Sequence, residues 1–304
     1  MKNLKFNLRN AVVVTFMTTA IMLTAVSCSE DEDPVMENPI ETVDIVATAI
    51  AGNPDEFNSL VQAVVAADLV GTLKGDGPFT VFAPTDAAFA KLGVDISMLS
   101  KEELTDILLY HVVAASVKST DLKNGFVQTA GGYSIEINTD NGARINTASV
   151  IQADVMATNG IIHVIDEVLL PPTEDIVDKA ISFTPDEFNT LVSAVVLADL
   201  VSTLKSEGPF TVFAPTDAAF EKLGADLASL SKEDLTNILL YHVVPASVFS
   251  SDLSEGPVQT ANGASIDISL DGGVKINDSN VIIANVQTTN GVIHVIDQVL
   301  IPAQ

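Results

Sequence analysis

The chain has 304 residues, of which 47% are hydrophobic, which is enough for two separate cores and excludes disorder of the whole. Its 40 acidic and 14 basic side chains give a formal net charge of -26. Such a surface repels phosphate backbones and anionic headgroups, so we expect no nucleic-acid partner.

The first 27 residues have the layout of an export signal. Three basic residues precede an uncharged, mostly apolar stretch from Ala11 to Val26. Cys28, the only cysteine, follows directly, and the segment resembles a bacterial lipoprotein signal in which Cys28 carries the lipid. An ordinary secretory signal and an uncleaved anchor are the alternatives, because Ala25 stands where such signals usually carry Leu.

Residues 28–42 are predicted to form a flexible tether. The run from Ser29 to Pro34 is strongly acidic, and charge blocks of this type stay solvated. An acidic run directly behind a lipidated cysteine is similar to the surface-export signal of lipoproteins from the Bacteroides group. This resemblance implies a protein held in the outer membrane by its lipid alone and exposed at the cell surface.

Most of the remaining chain consists of one unit present twice. Residues 44–171 align with residues 175–302 without a gap, at a constant spacing of 131 residues. A period of this length is far beyond that of solenoid repeats, so each copy should own a complete core. We therefore assign domain 1 to residues 43–172 and domain 2 to residues 173–304, joined by a short proline-bearing segment that leaves little freedom.

The first half of each copy has a helical pattern. In domain 1, Asn53 and Pro54 form a helix start signal, and apolar residues follow at helical spacing as far as Val64 and Val65. We expect both valines on the buried face, and Gly71 beyond the end of this helix.

Two further helix starts follow in domain 1. Thr85 can cap a helix, with Asp86 placed favourably at its positive end. Ser100 and Glu103 have the spacing of a capping box. From about Val117 onward the pattern changes to short alternating strands, and helices followed by strands within one unit indicate an α+β fold.

Three segments of each copy carry a family resemblance. Phe79–Phe89 looks like the first signature of fasciclin (FAS1) domains and Gly160–Pro171 like the second, while Tyr110 and His111 are similar to the tyrosine-histidine pair between them. The resemblance implies two tandem fasciclin-like domains, each a β-wedge or sandwich of short strands flanked by helices. It also implies a role in cell adhesion or matrix attachment without catalysis.

Ten residues of these segments are predicted to be structural. They are Thr85, Asp86, Tyr110, His111 and His163 in domain 1, and Thr216, Asp217, Tyr241, His242 and His294 in domain 2. The histidines lie among apolar neighbours and have neither a His-x-x-x-His pair nor a cysteine partner, so we predict no metal site. No nucleophile elbow or phosphate loop occurs, and we predict no catalytic residue and no cofactor.

Two functional classes remain. The first is a surface adhesion or matrix-binding module whose partner is an extracellular-matrix component, a glycan or a cell-surface protein. The alternative is an accessory protein that captures glycans or small ligands at the surface. No residue can be assigned to ligand binding from the sequence.

The two copies differ at a few positions that packing does not obviously dictate. Lys118 of domain 1 corresponds to Phe249 of domain 2. Phe126 and Tyr133 of domain 1 correspond in the same way to Pro257 and Ala264. Neutral drift and divergent binding surfaces are the two explanations that the sequence leaves open.

Overall fold

The computed structural model describes residues 43–52, 56–183, 187–224 and 230–303. The predicted export signal, Cys28, the acidic tether and the helix start at Asn53 and Pro54 lie outside these ranges. Among the described residues, no helix has the length and apolar character needed to cross a membrane.

Domain 1 contains five α-helices and seven strands within its described residues. The helices are α1 (Ile45–Gly52), α2 (Asn58–Ala66), α3 (Val70–Leu73), α4 (Asp86–Leu92) and α5 (Lys101–Tyr110). The strands are β1 (Phe79–Pro84), β2 (Val112–Val113), β3 (Gly125–Gln128), β4 (Ser134–Asn138), β5 (Arg144–Ile145), β6 (Ala148–Ala157) and β7 (Gly160–Ile165).

Domain 2 repeats this series in the part of it that the structure describes. The helices are α6 (Ile176–Ser182), α7 (Asn189–Leu197), α8 (Val201–Leu204), α9 (Asp217–Leu223) and α10 (Lys232–Tyr241). The strands are β8 (Phe210–Pro215), β9 (Val243–Val244), β10 (Gly256–Gln259), β11 (Ser265–Ser269), β12 (Lys275–Ile276), β13 (Ser279–Thr288) and β14 (Gly291–Ile296).

Each domain has one seven-stranded sheet, and the two sheets have the same topology. The strand order in domain 1 is β2-β1-β7-β6-β5-β4-β3, so β3 lies at an open edge. Strands β1 and β7 pair in parallel, while the other neighbours are antiparallel. Gly160 starts the parallel pair, and a Cβ there would lie only 2.1 Å from the Phe79 carbonyl oxygen, so this approach requires glycine.

Register shifts within β6 let the sheet bend into a wedge that buries two apolar clusters per domain. In domain 1, one cluster lies between the helices and the sheet and includes Leu60, Leu104 and Ile162. The other lies inside the wedge and includes Ile135 and Ile165. Domain 2 has an equivalent pair of clusters, so each domain has its own core. The α+β class and the wedge of short strands flanked by helices are confirmed.

Two details of the predicted first helix were wrong. Val65 is 61% exposed, because the buried face of α2 runs through Leu60 and Val64 instead. The helix ends at Ala66, where Asp68 adopts a left-handed conformation with φ of 61°. Gly71 therefore lies inside the next short helix, α3, and not beyond the end of the first.

Candidate functional site

Thr85 and Asp86 begin helix α4 and tie it to helix α2. The Thr85 side chain accepts a hydrogen bond from the Ala88 backbone N–H at 3.1 Å, as an N-cap does. The Asp86 carboxylate accepts from the backbone N–H groups of Asn58 at 3.2 Å and Ser59 at 2.7 Å. Burial raises the pKa of Asp86, but the hydrogen bonds from Ser59 and Asn58 outweigh burial and hold the pKa below its ordinary value of 3.8.

The same arrangement recurs in domain 2. Thr216 accepts from the Ala219 N–H at 3.2 Å. Asp217 accepts from the N–H groups of Asn189 at 3.2 Å and Thr190 at 2.8 Å. Each aspartate therefore caps a neighbouring helix, about 27 residues earlier in the chain, as well as beginning its own.

Tyr110 connects helix α5 to the wedge. Its hydroxyl donates to the Ser134 carbonyl at 2.9 Å and accepts from the Asn146 side chain at 3.1 Å. In domain 2, the equivalent Tyr241 hydroxyl donates to the Ser265 carbonyl at 2.9 Å and accepts from the Asn277 side chain at 3.2 Å.

His111 is buried and uses both ring nitrogens. Nε2 accepts from the Leu169 backbone N–H at 2.9 Å, which places the proton of a neutral ring on Nδ1, and Nδ1 donates to the Ile107 carbonyl at 2.7 Å. Burial lowers the pKa of His111 to about 4, against a smaller opposing effect of the Ile107 hydrogen bond. Burial likewise lowers the pKa of His242 to about 4.

His163 joins three segments of domain 1. Nε2 donates to the Val117 carbonyl at 2.9 Å, Nδ1 accepts from the Asp154 backbone N–H at 3.3 Å, and the ring stacks on Phe82 at a centroid distance of 5.7 Å. His294 repeats these contacts in domain 2, and burial lowers its pKa.

The ten signature side chains make the contacts described above within their own domains, and they do not converge on one catalytic constellation. Among the residues that the structure describes, every buried side-chain nitrogen or oxygen has a hydrogen-bond partner. Across the same ranges, no cluster of three or more His, Cys, Asp or Glu side chains could hold a metal ion. Their contacts join helix to helix through Asp86, helix to strand through Tyr110 and strand to loop through His163, and the structural role of these residues stays a prediction.

A groove of about 780 Å³ lies between the two domains. One side is an edge of domain 1, formed by Phe126, Gln128, Gly132, Tyr133 and Ser134, which we call the domain 1 edge. The opposite side, which we call the domain 2 wall, is formed by Asp175, Lys205–Pro209, Ser247, Phe249, Asp252 and Gln287–Val292.

The edge and the wall meet through aromatic and polar contacts. Phe126 stacks on Phe249, with ring centroids 4.1 Å apart and an interplanar angle of 9°. Burial raises the pKa of the Tyr110 hydroxyl, and hydrogen bonds from Asn146 and from Gln287 of domain 2 oppose that rise. The Gln287 side chain of the domain 2 wall thus lies close enough to Tyr110 of domain 1 to influence its pKa.

Sequence reasoning missed this groove. Its only sequence signal was that Phe126, Tyr133 and Phe249 are aromatic in one copy and not in the other. Gln287 also differs between the copies, since Met156 stands at the equivalent position of domain 1.

The fold defines a class of protein: a tandem of two α+β wedge domains, in each of which the signature side chains hydrogen-bond to other segments of the same domain. The sequence profile of the Fasciclin domain matches residues 55–171 and 186–302. The chain belongs to the fasciclin family.

Similar proteins come from animals and bacteria. The chain is 33% identical over 244 residues to transforming growth factor-beta-induced protein ig-h3 of Sus scrofa, covering 76% of this chain and 35% of that protein. It is 32% identical over 255 residues to periostin of Homo sapiens, covering 78% of this chain and 30% of that protein. The chain thus spans about a third of the length of these relatives.

A shorter bacterial relative and a solved structure are also similar. Protein sll1483 of Synechocystis is 40% identical over 158 residues, covering 50% of this chain and 87% of that protein. The FAS1 domain pair of the insect cell adhesion molecule fasciclin I shares 20% identity with a TM-score of 0.38, covering 81% of this chain and 97% of that one.

Proposed function

We propose that the protein is a non-catalytic adhesion or matrix-binding lipoprotein of the cell surface that acts through its tandem fasciclin domains. The observation that carries the proposal is that both domains belong to a family found in cell-adhesion and matrix proteins. The internal use of the signature side chains supports it, because the groups that could do acid-base chemistry are engaged in holding helices and strands together.

The adhesion proposal is tested with cells that produce the protein. Cells with the wild-type chain should be retained under flow on surfaces coated with fibrillar collagen or a polymeric glycan, and cells lacking the protein should be washed away. Equal retention of the two strains on every coating would contradict the adhesion proposal.

The anchoring part of the proposal rests on Cys28, which follows the predicted export stretch and is the only thiol of the chain. Metabolic labelling with a palmitate analogue should mark the wild type and the matched control Ser29→Ala, but not Cys28→Ala. Outer-membrane surface exposure predicts that protease added to intact cells removes the protein. Labelling of Cys28→Ala would contradict lipidation at this residue.

One observation favours glycan capture as a second candidate. The interdomain groove is open and carries the Tyr133 ring beside the side-chain amides of Gln128 and Gln287, whereas the Phe126 and Phe249 rings are stacked on each other. Rings that stack on sugar faces and amides that bond sugar hydroxyls suit a neutral oligosaccharide. A glycan array probed with residues 43–304 tests this candidate, and binding that Tyr133→Ala abolishes would favour it over protein adhesion.

A further inference from the structure

The contact between the two domains joins unlike surfaces, although the domains are copies. The domain 1 edge meets the domain 2 wall, so the same patch is not used on both sides. Each domain therefore also carries the other surface, facing outward: an edge on domain 2 and a wall on domain 1. A contact between unlike surfaces that does not close on itself can repeat from chain to chain and produce filaments.

The outward wall of domain 1 retains the shape of its counterpart. A groove of about 620 Å³ is lined by Asp44, Lys74–Pro78, Ser116 and Met156–Gly160. Each of these positions lies 131 residues before a residue of the domain 2 wall. The backbone surface that receives an edge in domain 2 is thus present in domain 1 as well.

The side chains on this outward wall differ at the two points that matter for the contact. Lys118 is exposed where domain 2 has Phe249, which is only 7% exposed and stacks on Phe126. Among the described residues, Lys118 makes no direct ion pair, although its charge acts on Asp154 from a distance, so an edge seated over Lys118 would remove its ammonium group from water without a contacting carboxylate. Met156 is 53% exposed where domain 2 has Gln287.

The outward edge of domain 2 has lost the matching aromatic rings. Pro257 is exposed in β10 at the position of Phe126, and Ala264 stands at the position of Tyr133. Proline also removes a backbone N–H from an open edge strand, which is a known means of preventing pairing with another chain.

We infer that the chain makes the edge-to-wall contact once, between its own two domains, and that the residues at Lys118, Pro257 and Ala264 keep the same contact from forming between chains. The divergence of the copies thus limits assembly to one pair of domains per molecule. The outward wall and edge keep their backbone shape but lack the two rings, equivalent to Phe249 and Phe126, whose stack joins the domains.

Complementary variants test the inference in the chain beginning at residue 28, with Cys28→Ser in all samples so that no lipid or intermolecular disulfide contributes. The wall variant carries Lys118→Phe and Met156→Gln. The edge variant carries Pro257→Phe and Ala264→Tyr. Because each variant has only one restored surface, neither should associate alone, and an equimolar mixture should sediment as a 1:1 dimer.

Combining all four substitutions in one chain should give head-to-tail oligomers whose size grows with concentration, while the chain without them stays monomeric. The control for non-specific association mixes the edge variant with a partner that carries Lys118→Ala and Met156→Gln. This mixture should not dimerise. Circular dichroism and thermal melting verify that each variant is folded. A mixture of folded wall and edge variants that remains monomeric would overturn the inference, as would head-to-tail association of the chain without these substitutions.

Discussion

Phe126 of domain 1 and Phe249 of domain 2 stack face to face, with their ring centroids 4.1 Å apart. Neither ring has an aromatic equivalent in the other copy, where Pro257 and Lys118 occupy the positions. The contact accounts for a divergence that looked like drift or like separate ligand preferences. The residues at positions 126 and 249 are thus explained by contact with the neighbouring domain and not by the core of their own domain.

Phe126→Ala should loosen the domain pair without unfolding either domain. A stacked aromatic pair contributes about 0.5–1.5 kcal/mol beyond its buried area. We expect one common tumbling time for both domains in the wild type and two shorter times in Phe126→Ala, measured by nitrogen-15 relaxation. Pro257→Ala, at the equivalent outward position, should change nothing. Unchanged tumbling of Phe126→Ala would show that the stack does not hold the pair.

Residues 43–172 and 173–304 should each fold alone. Each has a helix-side cluster and a wedge cluster formed from its own residues. Separate expression and thermal melting should give one cooperative transition for each. A domain that melts without a cooperative transition when isolated would mean that the two depend on a shared core.

The buried histidines should make stability depend on pH. The pKa of His111 is about 4 in the folded protein, whereas an ordinary histidine, as in the unfolded chain, has a pKa of 6.5. Between pH 4 and pH 6.5 the unfolded chain therefore binds more protons than the folded protein. The contribution of each buried histidine to the free energy of unfolding is fully present above pH 6.5. It is lost as the pH falls toward 4, by up to about 3 kcal/mol per histidine.

Urea unfolding of isolated domain 1 at pH 7.5 and pH 5 measures this effect. His111→Gln should lower stability at pH 7.5 and flatten the decrease between the two pH values. The matched surface control Glu102→Gln should leave the decrease as it is. A variant with the wild-type pH dependence would show that His111 is not the titrating group.

Asp86→Asn should lower the free energy of unfolding by about 1–3 kcal/mol, because the charged carboxylate accepts from the first N–H groups of α2 through both of its oxygens and an amide has only one acceptor oxygen. Denaturant unfolding at pH 7 measures the loss, and Asp217→Asn should act equally in domain 2. Asp76 is exposed, so Asp76→Asn should have no effect. Unchanged stability with loss of a bound ligand would instead assign Asp86 to binding.

The local chemistry of the fold could be read from the sequence, but its long-range contacts could not. The predicted capping box is confirmed: Glu103 N–H donates to the Ser100 hydroxyl at 3.2 Å, and Ser100 N–H donates to the Glu103 carboxylate at 2.8 Å. These partners are three residues apart, so spacing alone identifies them. Asp86 also caps α2, and this was not foreseeable because residues 27 positions apart meet only after the helices pack.

The groove between the domains was beyond sequence reasoning for the same physical reason. Phe126 and Phe249 lie in equivalent domains but at different positions, so the symmetry of the repeat gives no hint that they meet. Comparison of the two copies shows that both positions differ between the domains. Only the packing of the two domains shows that the two phenylalanines meet.

Adhesion by the tandem is tested most directly by comparing residues 43–304 with each isolated domain on a surface of immobilised polymeric ligand, such as fibrillar collagen or a repeating glycan. Two similar domains at a fixed separation raise the effective concentration for the second contact, so the tandem should bind about 10²–10⁴ times more tightly than either domain. Equal apparent affinity of the tandem and one domain would contradict shared adhesion and leave the other domain as a spacer.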